Sequence, residues 1–293
     1  TTVAVSAGAN TVGVDAVTPT ISIVQIRGTE DDGVTSKTGT LVVGDQIQVL
    51  VVTSETITVT GTPEYTIDVG GYSQTATYVS GSGGLLDPLI FAYEIQAGDA
   101  DAAGGIEADT GAVALAGGTL QDSDGNDLDL TTVAVSAGAN TVVVDAVAPT
   151  VTGAIISGAE SDGVTPKSGT LVAGDKILVT VTVDEAITVT GTPEYTIDVG
   201  GDSQTATYLS GSGTTELVFA YEVQAGDADA AGGIEAGTTA LALAGGTLKD
   251  SADNDLDLTT VAVSAGANTV VVDTVAPTVT GAIISGAESD GVT

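Results

Sequence analysis

Carboxylates are the side chains here that could do chemistry. The segment QAGDADAAGGIEA begins at Gln96 and again at Gln224, so Asp99, Asp101 and Glu107 recur as Asp227, Asp229 and Glu235. Asp-x-Asp places two carboxylates on one side of an extended chain. Other acids stand in short loop segments: Glu30 and Asp32, Glu160 and Asp162, Asp184 and Glu185, and, before the prolines, Asp145 and Asp273. Convergent carboxylates repel unless a cation joins them, and calcium accepts six to eight oxygens in flexible geometry. QDSDGNDLDL from Gln121 offers Asp122, Asp124, Asn126 and Asp129 at close spacing, but Asp127 stands where a calcium-binding helix–loop–helix needs glycine, and no glutamate closes the loop. The same residues make a turn between strands, which is the reading preferred for that segment.

Other chemistries fare worse. The chain has no His and no Cys, so its Ser and Thr hydroxyls lack an obvious base and no disulfide framework exists. Tyr65, Tyr78, Phe91 and Tyr93 fall at alternating core positions, leaving Tyr72 as the aromatic candidate for a sugar platform. An enzyme is therefore not expected. Lys37 and Lys167 match between copies, as do Asn126 and Asn254, and an internal Lys–Asn crosslink is a remote alternative. Five basic residues against 39 acidic ones give a net charge of −34. That charge repels nucleic acid and anionic membranes and attracts cations. No segment has the long apolar run of a membrane span, so direct membrane insertion by this stretch is not expected.

The elements that must position these acids come from a tandem repeat. TTVAVSAGANTV begins at Thr1, Thr131 and Thr259, spacings of 130 and 128 residues. GSGGLLDPLIFAYEI from Gly81 is longer by two residues than GSGTTELVFAYEV from Gly211, and this accounts for the difference. Residues 1–18 read as the closing strand and linker of a preceding repeat. Two full repeats follow at 19–148 and 149–276, and 277–293 repeat the opening strand. Val3, Val5, Val12 and Val14 lack a core of their own and are expected to pair with a continuing array or another chain.

Each repeat reads as all-β. KILVTVTVDE sends Ile177, Val179, Val181 and Val183 to one face, ELVFAYEV does the same with Leu217, Phe219, Tyr221 and Val223, and YTIDV with Tyr195, Ile197 and Val199. VGGDSQ from Val199 closes a tight hairpin, and YLSGSGTT from Tyr208 closes another. The spacing predicts seven or so strands per repeat, ten to twelve residues long in the main sheets, and a sandwich. Pro149 stiffens the short linker, so the domains are expected to stand end to end.

The string GDKILVTVTVDEAITVTGTPEYTIDVGG, with TATYLSGSGTTELVFAYEVQAGDADAAGGIEA and LALAGGTLKDSADNDLDL downstream, resembles the bacterial immunoglobulin-like tandem repeats of giant surface adhesins and extracellular surface fibres. The resemblance covers essentially the whole chain. It implies stacked immunoglobulin-like sandwiches, export to the cell surface, bound calcium, and neighbouring repeats or chains of the same protein as partners. It also implies that a surface glycan or cell-surface ligand is met through other parts of the parent chain. The function it implies is that of a non-enzymatic spacer rod. The alternatives are a self-assembling filament or surface-layer subunit completed by strands from neighbours, and a carbohydrate-binding module.

Followed up and down through such a sandwich, the QAGDAD segment falls at the far end of its domain, beside the first loop (Glu160, Asp162) and beside Asp273. The next domain brings a DEA turn, Asp184 and Glu185. Calcium is thus expected at the boundary, where Asp145, Glu30, Asp32, Asp99, Asp101 and Glu185 crowd together.

Overall fold

The computed structural model describes residues 15–84, 86–101, 105–135, 140–229, 233–264 and 266–284. The chain divides into two compact units: unit 1 is Thr1–Ala148 with Ala252–Asn254, and unit 2 is Pro149–Ser251 with Asp255–Thr293. The described residues are all-β, without a helix.

Unit 1 has β1 (Ile21–Thr29), β2 (Thr40–Leu41), β3 (Gln46–Thr53), β4 (Thr58–Thr60), β5 (Glu64–Val69), β6 (Tyr72–Ser80), β7 (Leu89–Glu94), β8 (Ala100–Asp101), β9 (Val113–Ala114), β10 (Thr119–Gln121) and β11 (Val143–Asp145). Its main sheet runs β1-β3-β7-β6-β5-β9, antiparallel throughout. β10 pairs with β4. β11 lies parallel to β2 and antiparallel to β8.

Unit 2 repeats the plan with β12 (Val151–Ala159), β13 (Thr170–Leu171), β14 (Lys176–Thr190), β15 (Glu194–Val199), β16 (Asp202–Ser210), β17 (Thr214–Glu222), β18 (Ala228–Asp229), β19 (Leu241–Ala242), β20 (Thr247–Lys249) and β21 (Val271–Asp273). Its main sheet runs β12-β14-β17-β16-β15-β19, with β20 on the end of β14 and β13-β21-β18 as the small sheet. Main-sheet strands are mostly six to nine residues, shorter than the sequence predicts. Register shifts between Ile21 and Ile23, and between Tyr78 and Ser80, interrupt the ladders.

One difference between the units has a local cause. β14 runs unbroken where unit 1 has β3 and β4. In unit 2, Gly213 N donates to Ile187 O and the ladder pairs Ile187 with Thr214. The longer β6–β7 loop of unit 1 reaches in instead: Gly83 O accepts from Thr53 N, and Ser82 O accepts from Ile57 N. The two inserted residues thus redirect the backbone donors and split the strand.

The alternation sets the core as read from the sequence. Ile47, Val49 and Val51 of β3, Phe91 of β7 and Tyr65 of β5 have no exposed surface, nor do Ile177, Val179, Val181, Phe219 and Tyr195. The small sheets add Leu41 and Val144 to the core of unit 1, and Leu171 and Val272 to that of unit 2. Phe91 sits between Tyr65, centroids 5.7 Å apart, and Tyr78, edge-on at 6.0 Å. Phe219 has the same company in Tyr195 and Tyr208. Such tilted and edge-on pairs add to the burial energy.

Thr29 is fully buried, and its hydroxyl meets no hydrogen-bond partner. Ala159, also fully buried, holds the corresponding place in unit 2. An orphaned buried hydroxyl costs roughly 1–3 kcal/mol. Thr29→Val keeps the volume and removes the polar atom. It is expected to stabilise unit 1 by about 1 kcal/mol in denaturant unfolding, and a destabilised variant would show that the hydroxyl has a partner after all.

Candidate metal centre

Among the described residues of unit 1, three carboxylates converge: one oxygen from each of Asp15, Glu55 and Asp122 lies within 4.8 Å of the others. Backbone ties bring them together. Ser54 N donates to Thr20 O at 2.8 Å, and Thr20 N donates to Ser54 Oγ at 3.0 Å, so the turn after β3 is pinned to the start of β1. Asp129 N donates to Pro19 O at 2.9 Å, drawing the segment after β10 to the same end. Asp15 and Glu55 are thereby set beside the loop that carries Asp122.

Asp122 is buried, and its carboxylate organises that loop. Oδ1 accepts from Asp124 N and Asn126 N at 2.8 and 2.9 Å, and Oδ2 accepts from Asn126 Nδ2 at 2.7 Å. The Asn126 side chain is the main reason the Asp122 carboxyl is held below the usual carboxylate range. The turn preferred for QDSDGNDLDL is thus present, and the same carboxylate also faces Asp15 and Glu55. Three carboxylates, with carbonyls or waters completing the shell, are a donor set that suits calcium.

The residues singled out from the sequence are placed as follows. Asp99 precedes β8 and Asp101 lies in it, within the β8–β11 pairing that sets Asp145 opposite Ala100 and Val144 opposite Asp101. Ala146 N donates to Asp99 O at 2.8 Å. In unit 2, Asp273 is opposite Ala228, and Thr274 Oγ1 donates to Asp227 O at 2.7 Å. The QAGDAD segment therefore lies beside the departing chain in each unit. Its carboxylates are partly committed. Asp99 Oδ2 accepts from Tyr93 Oη at 2.7 Å and Gln96 N at 2.9 Å, and Asp227 Oδ2 accepts from Tyr221 Oη and Gln224 N, both at 2.8 Å. Burial first, then the bond to Asp227, pushes the Tyr221 hydroxyl up to about 12. Asp101 and Asp229 are buried. Glu107 and Glu235 are exposed, and their backbones bridge to Asp68 and Asp198.

Other acids work inside their own turns. Asp32 accepts from Val34 N and Thr35 N, both at 2.8 Å, and Asp162 accepts from Val164 N and Thr165 N at 2.9 and 2.8 Å. Asp184 accepts from Thr150 N at 2.7 Å and Thr150 Oγ1 at 2.6 Å. Glu30 is exposed, Asp145 and Glu185 are half-buried, and Glu160 pairs with Lys167 at 3.6 Å. The lysines meet aspartates, not asparagine: Lys37 Nζ is 2.6 Å from Asp45 Oδ2, and Lys167 Nζ is 2.8 Å from Asp175 Oδ2. Charge attraction explains that choice, and Asn126 is already engaged by Asp122. Tyr72 is 74% exposed, and Asp202 takes its place in unit 2.

Sequence reading missed Asp15 and Glu55 and assigned Asp122 only a turn. The available signal was the repeat itself. Asp15 holds the position of Asp145 and Asp273, Glu55 that of Glu185, and Asp122 that of Asp250.

The turn aspartates give a pH dependence. Thr165, through its hydroxyl and then its N–H, lowers the Asp162 carboxyl to about 2, and the backbone N–H of Thr35 is the main cause lowering Asp32. A folded-state pKa below the unfolded value of about 3.9 contributes stability that is full above that value and is lost as pH falls through the folded pKa. Melting temperature is expected to drop between about pH 4 and pH 2, and Asp162→Asn should flatten part of that drop. Comparing the two proteins cancels the shared discharge of the remaining acids. An identical slope in both would remove Asp162 from the account.

Val3, Val5, Val12 and Val14 lie outside the described residues, as do parts of the QAGDADAAGGIEA segments (102–104 and 230–232). Among the described residues, no helix is long and apolar enough to cross a membrane. No protein-family model, curated protein or solved structure matches the chain.

Proposed function

We propose that this chain is a non-enzymatic structural repeat of a long extracellular cell-surface adhesin or fibre. In this reading each unit is an immunoglobulin-like sandwich acting as a spacer, and calcium binds the carboxylates at the leading end of a repeat. One observation carries it: the same strand order is built twice, from matched residues, around two separate cores. A spacer needs that arrangement, because each added repeat extends the chain without altering the others. The calcium part rests on Asp15, Glu55 and Asp122. In repeat register Asp15 belongs to the closing segment of the preceding repeat, so an ion held by all three couples that segment to the body of unit 1.

A ligand that binds only the folded state stabilises it by about 2.7 kcal/mol at one hundred times its dissociation constant. Calcium is expected to raise the melting temperature of unit 1 and chelator to reverse it. Magnesium should substitute poorly, because it demands tight octahedral geometry. Glu55→Gln should weaken the response while leaving the Asp122 loop intact. A melting curve indifferent to calcium would leave these carboxylates as a solubilising surface. The spacer reading itself is tested by labelling intact source cells with an antibody raised against one repeat; staining only after lysis would overturn it.

A further inference from the structure

We propose that a groove on the outer face of the main sheet in unit 1 binds a lysine side chain presented by a basic segment of a partner protein. This goes beyond a spacer role, and the second unit supplies the template.

In unit 2 the corresponding place is filled from within. Lys176, at the start of β14, directs its ammonium to Glu222 Oε2 at 3.3 Å. Its stem lies along the sheet face beside Gly163 and Leu209. A Cβ added to Gly163 would stand 3.1 Å from Lys176 Cδ and 3.6 Å from Leu209 Cδ2. The Lys176 side chain is only 21% exposed, so most of its stem is covered. This is the familiar disposition of lysine, with the methylenes on apolar surface and the charge at the rim.

Unit 1 keeps the receptor but fills it only in part, with a shorter and uncharged side chain. Gly33, Val79 and Glu94 stand where unit 2 has Gly163, Leu209 and Glu222, but Gln46 replaces Lys176. Gln46 covers the glycine, since a Cβ added to Gly33 would stand 2.9 Å from its Oε1, but its Nε2 turns back to Asp31 O at 3.4 Å and it brings no charge to Glu94. The Glu94 side chain is exposed, with no cationic partner among the described residues. What remains is an open groove of about 590 Å³ with a mixed lining: Val34, Val79, Ile90 and Tyr93 supply apolar surface, and Asp32, Glu94 and several Gln, Thr and Ser side chains supply polar surface. Arg27, the cation on the next strand, is held by Gln48 Oε1 at 2.8 and 3.1 Å and does not line the groove.

The groove therefore sets apolar side chains next to a Glu94 carboxylate that no described cation meets, on a protein of net charge −34. Charge complementarity favours a basic partner, and the apolar side chains of the groove give a lysine's methylenes a surface that a bare cation would not use. One solvent-exposed ion pair contributes about 0–1 kcal/mol, so a useful affinity needs an extended peptide with several contacts.

The test uses the full 293-residue chain, isotope-labelled, titrated with trilysine and followed by amide chemical shifts. Shifts are expected at Gln46, Val79 and Glu94, and not at Lys176, Leu209 and Glu222. Gln46→Lys, which installs the internal plug, should reduce the unit 1 shifts at least tenfold. Lys176→Gln should open the second groove and add shifts at Leu209 and Glu222. Both substitutions lie at a half-buried sheet position that holds one of the two residue types in each unit, so neither threatens folding. Shifts spread evenly over the acidic surface, or unaffected by Gln46→Lys, would mean counter-ion binding only and would overturn the proposal.

Discussion

Replacing Phe219 with alanine is expected to lower the stability of unit 2 by about 3–5 kcal/mol and leave unit 1 unchanged. Phe219 has no exposed surface, and its ring is held by Tyr195 and Tyr208. Truncating a buried phenylalanine costs about 3–5 kcal/mol, from lost transfer energy and the cavity left behind. A small domain has about 5–15 kcal/mol in hand, so the loss is a large fraction of what holds unit 2. Phe219 belongs to one buried cluster, and Phe91 to the other. Thermal unfolding of the variant should therefore split into two steps. Limited proteolysis between the two midpoints should leave unit 1 as the protected fragment, and Phe91→Ala should give the reverse. One cooperative transition, lowered as a whole, would show that the two cores are energetically a single body.

The second large effect is expected at a glycine. Val69 is opposite Tyr72 across a two-residue turn of Gly70 and Gly71, with φ of +60° and +88°. Both need the left-handed conformation, which costs an ordinary residue roughly 1–2 kcal/mol. Only Gly70 has a second reason. A Cβ there would overlap the carbonyl oxygen of Ala100, whereas a Cβ on Gly71 would meet nothing within 4 Å. Ala100 lies in β8 and cannot yield freely, because β8 is paired with β11. Gly70→Ala is expected to cost about 3 kcal/mol or more, and Gly71→Ala about 1 kcal/mol. Chemical denaturation of the two variants compares them directly; equal losses would mean that the hairpin does not bear on β8. Gly200, close against the Ala228 carbonyl, predicts the same in unit 2.

The strands were legible in the sequence for a physical reason. Side-chain direction alternates with every residue along a strand, so Ile177, Val179, Val181 and Val183 announce one buried face without reference to any partner. The Gly70–Gly71 turn was legible in the same way, since positive φ is a local demand that glycine meets. The repeat was legible because identical local instructions are written twice.

Convergence of side chains was not legible. Asp15, Glu55 and Asp122 are far apart in the chain, and they meet because one backbone hydrogen bond ties Ser54 to Thr20 and another ties Asp129 to Pro19. Nothing in the spacing of the acids records those ties. The same limit hid the split of β3 from β4, which depends on where an inserted loop sends its carbonyls. It also hid the fate of Lys176: its charge was visible, but not the trough that its stem would fill or the glutamate at its end. Sequence by itself determined the all-β class, the inward faces and the repeat, because each follows from short-range geometry. Tertiary structure alone decided which carboxylates share a space and which groove stands open, because both depend on the pairing of strands remote in sequence.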